Sequence, residues 1–268
     1  MTSIRIGVLV PAGNTIHERE FDALRAATGC NVEFAFRPFD YPAAGVADFC
    51  SALIAQFAVP LRELRAWGAE VVLVGCTAAS MRCATPAHDA ALAELAGAPV
   101  VTAARATREA LAALALERIV VATPYGAASN RIVRDFLESL DVRVVAIEGL
   151  GYDADPALWK TEVPRVDGER GCEFARQIEA RAGAANIQGA YFPCTGMASI
   201  DAIARYESRT GRSGVSSVLA GFWAALGRAG IDIRQSDIRH SDSRQSDSRS
   251  GPRRDAQPHL FARPFRAT

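Results

Sequence analysis

Two apolar runs of strand length, each closing on a Cys-Thr pair, constrain this chain more than any other feature of its sequence. Val71-Val72-Leu73-Val74-Gly75 leads into Cys76-Thr77, and Ala190-Tyr191-Phe192-Pro193 leads into Cys194-Thr195. Small residues and a serine follow each pair, Ser80 in the first case and Ser199 in the second, before a helical pattern begins. Continuous apolar runs of this length suit strands buried on both faces. Two thiols at matching strand ends in two halves of one chain imply a cleft with a thiol on either wall. Such a cleft suits proton transfer or nucleophilic addition at a small carbon acid.

Strand and helix patterns alternate throughout. Strands are expected at 4–10, 31–36, 70–74, 99–102, 118–122, 142–147, 189–192 and 214–216. Helices are expected at 16–27, 47–67, 87–95, 105–114, 130–140, 169–180, 200–210 and 218–226, with Pro60 kinking or splitting the second. The pattern predicts an α/β protein of two pseudo-symmetric, doubly wound lobes with parallel sheets, the active site lying in the inter-lobe cleft. The N-terminal lobe is expected to span 1–104 and to be joined by the last helix within 215–231, and the C-terminal lobe to span 105–214. Beyond Asp232 the imperfect repeat Arg234-Gln-Ser-Asp-Ile, Arg239-His-Ser-Asp-Ser, Arg244-Gln-Ser-Asp-Ser has no aromatic residue. Residues 232–268 are therefore expected to form a disordered tail, in which Leu260, Phe261 and Phe265 are the candidates for docking.

The chain has 268 residues with 30 basic and 30 acidic side chains, so charge offers no reason to expect nucleic acid or an anionic membrane as partner. No apolar stretch approaches the roughly 18–20 residues needed to span a bilayer. Met1 leads straight into a strand pattern, without the basic, apolar and cleavage regions of a leader, which makes the cytoplasm the expected location. Six cysteines are ordinary there as small buried residues, and no C-x-x-C occurs. With His240 and His259 in the tail, only His17 and His88 remain in the body, so neither a zinc site nor a Ser-His-Asp triad is expected. Gly149-x-Gly151-x-x-Ala154 leads into Asp155-Pro156 rather than a nucleotide-binding helix, and no Walker loop is present. No cofactor is expected.

The candidate site residues all follow expected strands. Asn14, in Val10-Pro-Ala-Gly-Asn-Thr15, could hold a carboxylate with neighbouring backbone N–H groups, or Asn14 or Thr15 could merely cap the next helix. Cys76 beside a helix N-terminus could have a lowered pKa, with Thr77 offering a hydroxyl; the alternative is a buried core cysteine. Tyr125 could present its phenol to a developing oxyanion or cover a sheet edge, and Asn130 opens the next helix. Cys194-Thr195 partners Cys76-Thr77, and Ser216-Ser217 is a weaker carboxylate-binding candidate.

These segments, taken in order, resemble the aspartate/glutamate racemase superfamily, within it the branch of maleate cis–trans isomerases and arylmalonate decarboxylases. The resemblance rests on Arg5-Ile-Gly-Val-Leu-Val-Pro-Ala-Gly-Asn-Thr15, Val74-Gly-Cys-Thr77, Ala122-Thr-Pro-Tyr125 with Asn130, Pro193-Cys-Thr-Gly196 and Val215-Ser-Ser217, and it covers residues 4–230. It implies cofactor-independent chemistry on a small dicarboxylate or related acid, with Cys76 and Cys194 catalytic and Asn14, Thr77, Tyr125, Asn130 and Thr195 binding substrate, in a homodimer. The decarboxylases keep only the second cysteine, whereas an isomerase or a racemase needs both. Two departures stand out: Ala78 replaces the decarboxylases' usual Ser, and Ala12-Gly13 replaces a Ser-Ser common in the isomerases. The resulting expectation is a maleate-type cis–trans isomerase; the alternatives are a racemase or a decarboxylase of the same superfamily and, in a different class, a small-acid binding protein.

Overall fold

The computed structural model describes residues 3–43, 45–183, 186–233 and 258–263. Two four-stranded parallel sheets are present. The first takes β1 (Ile4–Pro11), β2 (Val32–Phe39), β3 (Val71–Val74) and β4 (Val100–Thr102) in the order β2-β1-β3-β4. The second takes β5 (Arg118–Thr123), β6 (Arg143–Gly149), β7 (Gly189–Phe192) and β8 (Ser213–Ser216) in the order β6-β5-β7-β8. The two orders are the same permutation, so the halves are topological copies. The interior strands β3 and β7 are buried at every position, which is why they read as unbroken apolar runs.

The helices are α1 (Ile16–Thr28), α2 (Phe49–Trp67), α3 (Thr77–Arg82), α4 (Pro86–Ala96) and α5 (Ala103–Ala113), then α6 (Ala127–Glu138), α7 (Pro156–Glu162), α8 (Gly168–Ala182), α9 (Ile200–Thr210) and α10 (Ser217–Arg228). Of the kink or split expected at Pro60, the split does not occur. Pro60 is buried inside a single α2, where tertiary packing outweighs one lost backbone hydrogen bond. Of two short helices, α3 was expected only as a helix start beside Cys76, without bounds, and α7 was not anticipated, because six or seven residues carry too little periodicity to be read. α10 follows β8 of the second sheet yet packs on β3, β4 and α5 of the first half, and is buried along most of its length.

One expectation needs correction, and two of the three docking candidates in the tail are seated. Cys50 and Cys83 are not isolated core thiols but form a disulfide joining the start of α2 to the end of α3. Within the stretch read as a tail, Leu260 and Phe261 are buried in a short helical turn (His259–Ala262), with Phe261 against Phe222 of α10. Those two apolar side chains, together with the His259 N–H on the Glu207 carboxylate, seat that turn although the repeat before it is polar. The repeat and Phe265 lie outside the described residues.

Candidate active site

Parallel sheets present their carboxyl-end loops on one side, and a binding crevice opens where neighbouring strands send their chains in opposite directions. Here the interior strands of both sheets end in candidate residues. Asn14 follows β1, Cys76-Thr77 follow β3, Tyr125 follows β5 and Cys194-Thr195 follow β7.

Both thiols are enclosed, Cys76 at 3% exposure and Cys194 at 4%. Cys76 caps the N-terminus of α3 in extended backbone, as anticipated, yet its pKa is raised rather than lowered. Burial is the larger effect, opposed in part by the Tyr41 hydroxyl and the Ala79 N–H. A thiol taken out of water on all sides loses more than one turn of helix returns to its anion. Burial likewise pushes Cys194 up to about 12, against the Gly196 and Met197 N–H groups and the Tyr125 hydroxyl, with Cys76 adding repulsion. Burial thus favours the protonated thiol at both cysteines, and of the two readings open for Cys76 the lowered pKa is the one not found. Cys194 also adopts φ +91°, a left-handed conformation that costs a non-glycine residue about 1–3 kcal/mol.

Tyr41 was missed from sequence. Its hydroxyl lies 2.7 Å from Cys76 Sγ. Nothing in its neighbourhood marks it, since it sits in a loop after β2 and the pairing spans 35 positions. Half its surface is exposed, at 49%, while the hydroxyl end points inward at the thiol.

The two Thr side chains bridge the lobes. Thr77 Oγ1 donates to Ser217 Oγ at 2.7 Å and accepts the Cys194 N–H at 3.1 Å. Thr195 Oγ1 donates to the Gly75 carbonyl at 2.9 Å and accepts from Asn14 Nδ2 at 3.1 Å. Asn14 Oδ1 in turn accepts the Ile16 and His17 N–H groups, so Asn14 both caps α1 and reaches the opposite lobe. These hydroxyls are already committed to holding the two thiol-bearing loops. Ser217 extends the same network to Tyr191, whose hydroxyl also meets Thr107.

Tyr125 is 5% exposed, stacks on Trp159 of α7 with ring centroids 5.8 Å apart and interacts with Cys194. Asn130 Oδ1 accepts from Thr123 Oγ1 at 2.6 Å. It lines a cleft of about 500 Å³ with Tyr125, Arg131, Arg134, Glu148 and Gly149, and neither cysteine is part of that lining. The glycine pair that superficially suggested a nucleotide fingerprint has a packing reason: a Cβ on Gly149 would overlap the Tyr125 carbonyl. Among the described residues, no group of three or more His, Cys, Asp or Glu could hold a metal ion, and no helix is long and apolar enough to cross a membrane.

Two enclosed thiols, each with a tyrosine hydroxyl, can act as nucleophile and proton donor on a small acid placed between them. A family model described as arylmalonate decarboxylase matches residues 48–239. An arylmalonate decarboxylase from Bordetella bronchiseptica is 31% identical over 172 residues, covering 63% of this chain and 69% of that protein. A solved arylmalonate decarboxylase superposes with a TM-score of 0.69 at 26% identity, over 97% of this chain and 99% of that one. The maleate cis–trans isomerase of Nocardia farcinica shares the fold, with a TM-score of 0.72 at 24% identity over 85% of this chain and 93% of that one. With its duplicated sheets, its strand-end thiols and a family match over most of its length, the chain belongs to the arylmalonate decarboxylase family.

Proposed function

We propose that the protein is a cofactor-independent cis–trans isomerase of maleate or a related cis-enedioate. The observation that supports this most is the presence of a second enclosed thiol, Cys76, near enough to Cys194 to disfavour its anion and in contact with the Tyr41 hydroxyl. Decarboxylation needs one thiol for proton return, whereas addition to an alkene needs a nucleophile as well; a racemase also uses two, and the Pro11-Ala-Gly-Asn-Thr15 and Thr123-Pro-Tyr125 segments favour the isomerase over it.

In this mechanism Cys76 passes its proton to a carboxylate of the bound substrate and Tyr41 donates to the sulfur anion. Tyr41 suits that role, because burial and the neighbouring Cys76 hold its own pKa well above the ordinary value. The thiolate forms a C–S bond to one alkene carbon, and the π pair moves into the adjacent carboxylate as an enediolate. Tyr125 and backbone N–H groups stabilise that charge. Rotation about the new single bond and expulsion of the thiolate, which takes its proton back from that carboxylate, give the trans acid with no net redox change. Cys194 faces the intermediate as acid/base.

Decarboxylation of an arylmalonate is the second reading, favoured by the family match and by the 31% identical relative. There the bond to one carboxyl breaks, carbon dioxide leaves with the pair retained as an enediolate, and the protonated Cys194 supplies the proton. The test is proton NMR with maleate in deuterated buffer, beside Cys76→Ser. Fumarate formed by the intact enzyme and not by the variant supports isomerisation. Unchanged maleate with carbon dioxide released from phenylmalonate replaces it with decarboxylation. Deuterium entering Cα of an amino acid, without either, marks a racemase.

A further inference from the structure

The loop carrying Cys194 follows a strand of the second sheet but is held by the first half of the chain. At its start the Cys194 N–H reaches Thr77, and its next residue Thr195 reaches Gly75 and Asn14. At its far end lies Glu20 of α1, a carboxylate 6% exposed. Glu20 Oε1 accepts the N–H groups of Ser199 at 2.7 Å and Ile200 at 2.8 Å, and Oε2 accepts the Ser199 hydroxyl at 2.9 Å. Ser199 begins α9 without capping it with its own side chain. The carboxylate therefore supplies, from another helix and the other lobe, the acceptors that a helix N-terminus lacks.

Cys194 sits five residues before this anchor in a conformation that only surrounding contacts can impose. With Thr77 holding the front of the loop at Cys194 and Glu20 its back at Ser199, the four residues between have little freedom to move the thiol. We propose that Glu20 is a positioning residue for Cys194, fixing the thiol-bearing loop across the lobe boundary. The inference rests on Cys194 being the acid/base, a role common to the isomerase and decarboxylase readings.

The experiment compares Glu20→Ala and Glu20→Gln in the full chain. Iodoacetamide labelling of Cys194 and of Cys76 is followed separately by peptide mass spectrometry. Steady-state kinetics use whichever of maleate and phenylmalonate is turned over. In Glu20→Ala the Cys194 labelling rate is expected to change about fivefold or more while Cys76 stays within about twofold. With that, kcat falls roughly 10- to 100-fold and KM stays within about threefold. Gln keeps one oxygen for both N–H groups and an amide that can donate to the Ser199 hydroxyl, so it restores both readouts to within about threefold. The inference is overturned if both thiols change by the same factor, or if neither changes. Should Glu20→Ala fail to fold, Glu20→Asp, which draws the charge back by one methylene, is read by the same selective-or-equal criterion. Inactivity on both substrates defeats the proposed function, whereas the labelling comparison still decides the role of Glu20.

Discussion

Thr77 and Cys194 stand on opposite lobes, yet the backbone N–H of Cys194 donates to Thr77 Oγ1 at 3.1 Å. The residue beside the first thiol thus holds the backbone of the second. Duplicated strand ends become one site through this contact and its counterpart from Thr195 to Gly75.

Replacing Thr77 by Val keeps the shape and removes the hydroxyl. The buried Cys194 N–H loses its partner, which costs about 1–3 kcal/mol, while Ser217 still meets the Tyr191 hydroxyl. A drop of that size in urea unfolding is expected, together with a fall in turnover of at least about tenfold as Cys194 shifts. Unaltered stability and rate would show the bridge to be incidental.

Tyr41→Phe leaves the ring and deletes the one side-chain hydroxyl that lowers the Cys76 pKa. The pH at which Cys76 becomes reactive to iodoacetamide should rise, with Cys194 unaffected. Global stability should change by less than about 1 kcal/mol, since half the ring is exposed. An unshifted labelling profile would remove Tyr41 from the thiolate's environment.

The Cys50–Cys83 disulfide closes 33 residues of chain that include β3 and Cys76. Loop-closure entropy for that length corresponds to about 3–4 kcal/mol. Cys50→Ser with Cys83→Ser should lose stability of that order in urea, and a reductant should lower the parent toward the variant. If reductant changes nothing, the cross-link is not formed in solution.

His17 is fully buried, and among the described residues neither ring nitrogen has a hydrogen-bond partner. Its ring lies against Gly75, where a Cβ would overlap it, and edge-on to Phe21 with centroids 4.6 Å apart. Burial lowers its pKa from the ordinary 6.5 to about 3. Between those values the unfolded chain takes up a proton that the folded chain refuses. Stability linked to His17 is thus complete above pH 6.5 and lost as the pH falls towards 3. Glu20 and Glu207, raised by burial to about 7, act in the opposite sense, favouring the folded state below that value. The decisive quantity is therefore the difference between His17→Leu and the parent. From pH 7 to pH 4 the variant should lose roughly 3 kcal/mol less in urea unfolding. Parallel declines would show that His17 is protonated in the folded chain.

What local sequence encodes was legible by itself. Unbroken apolar runs marked the interior strands β3 and β7, because a strand buried on both faces tolerates no alternation. The same logic placed Asn14, Cys76, Tyr125 and Cys194 at strand ends, and hence on one side of each sheet. Tertiary structure decided everything that depends on reach between segments and on exclusion of water. Tyr41 meets Cys76 across 35 positions, Glu20 meets Ser199 across 179, and Cys50 pairs with Cys83 across 33. No periodicity links such residues, because their distance is set by how sheets and helices stack. Burial also reversed the sign of the Cys76 pKa shift. Spacing put the thiol at a helix start, but only packing determined how little water remains to solvate its anion.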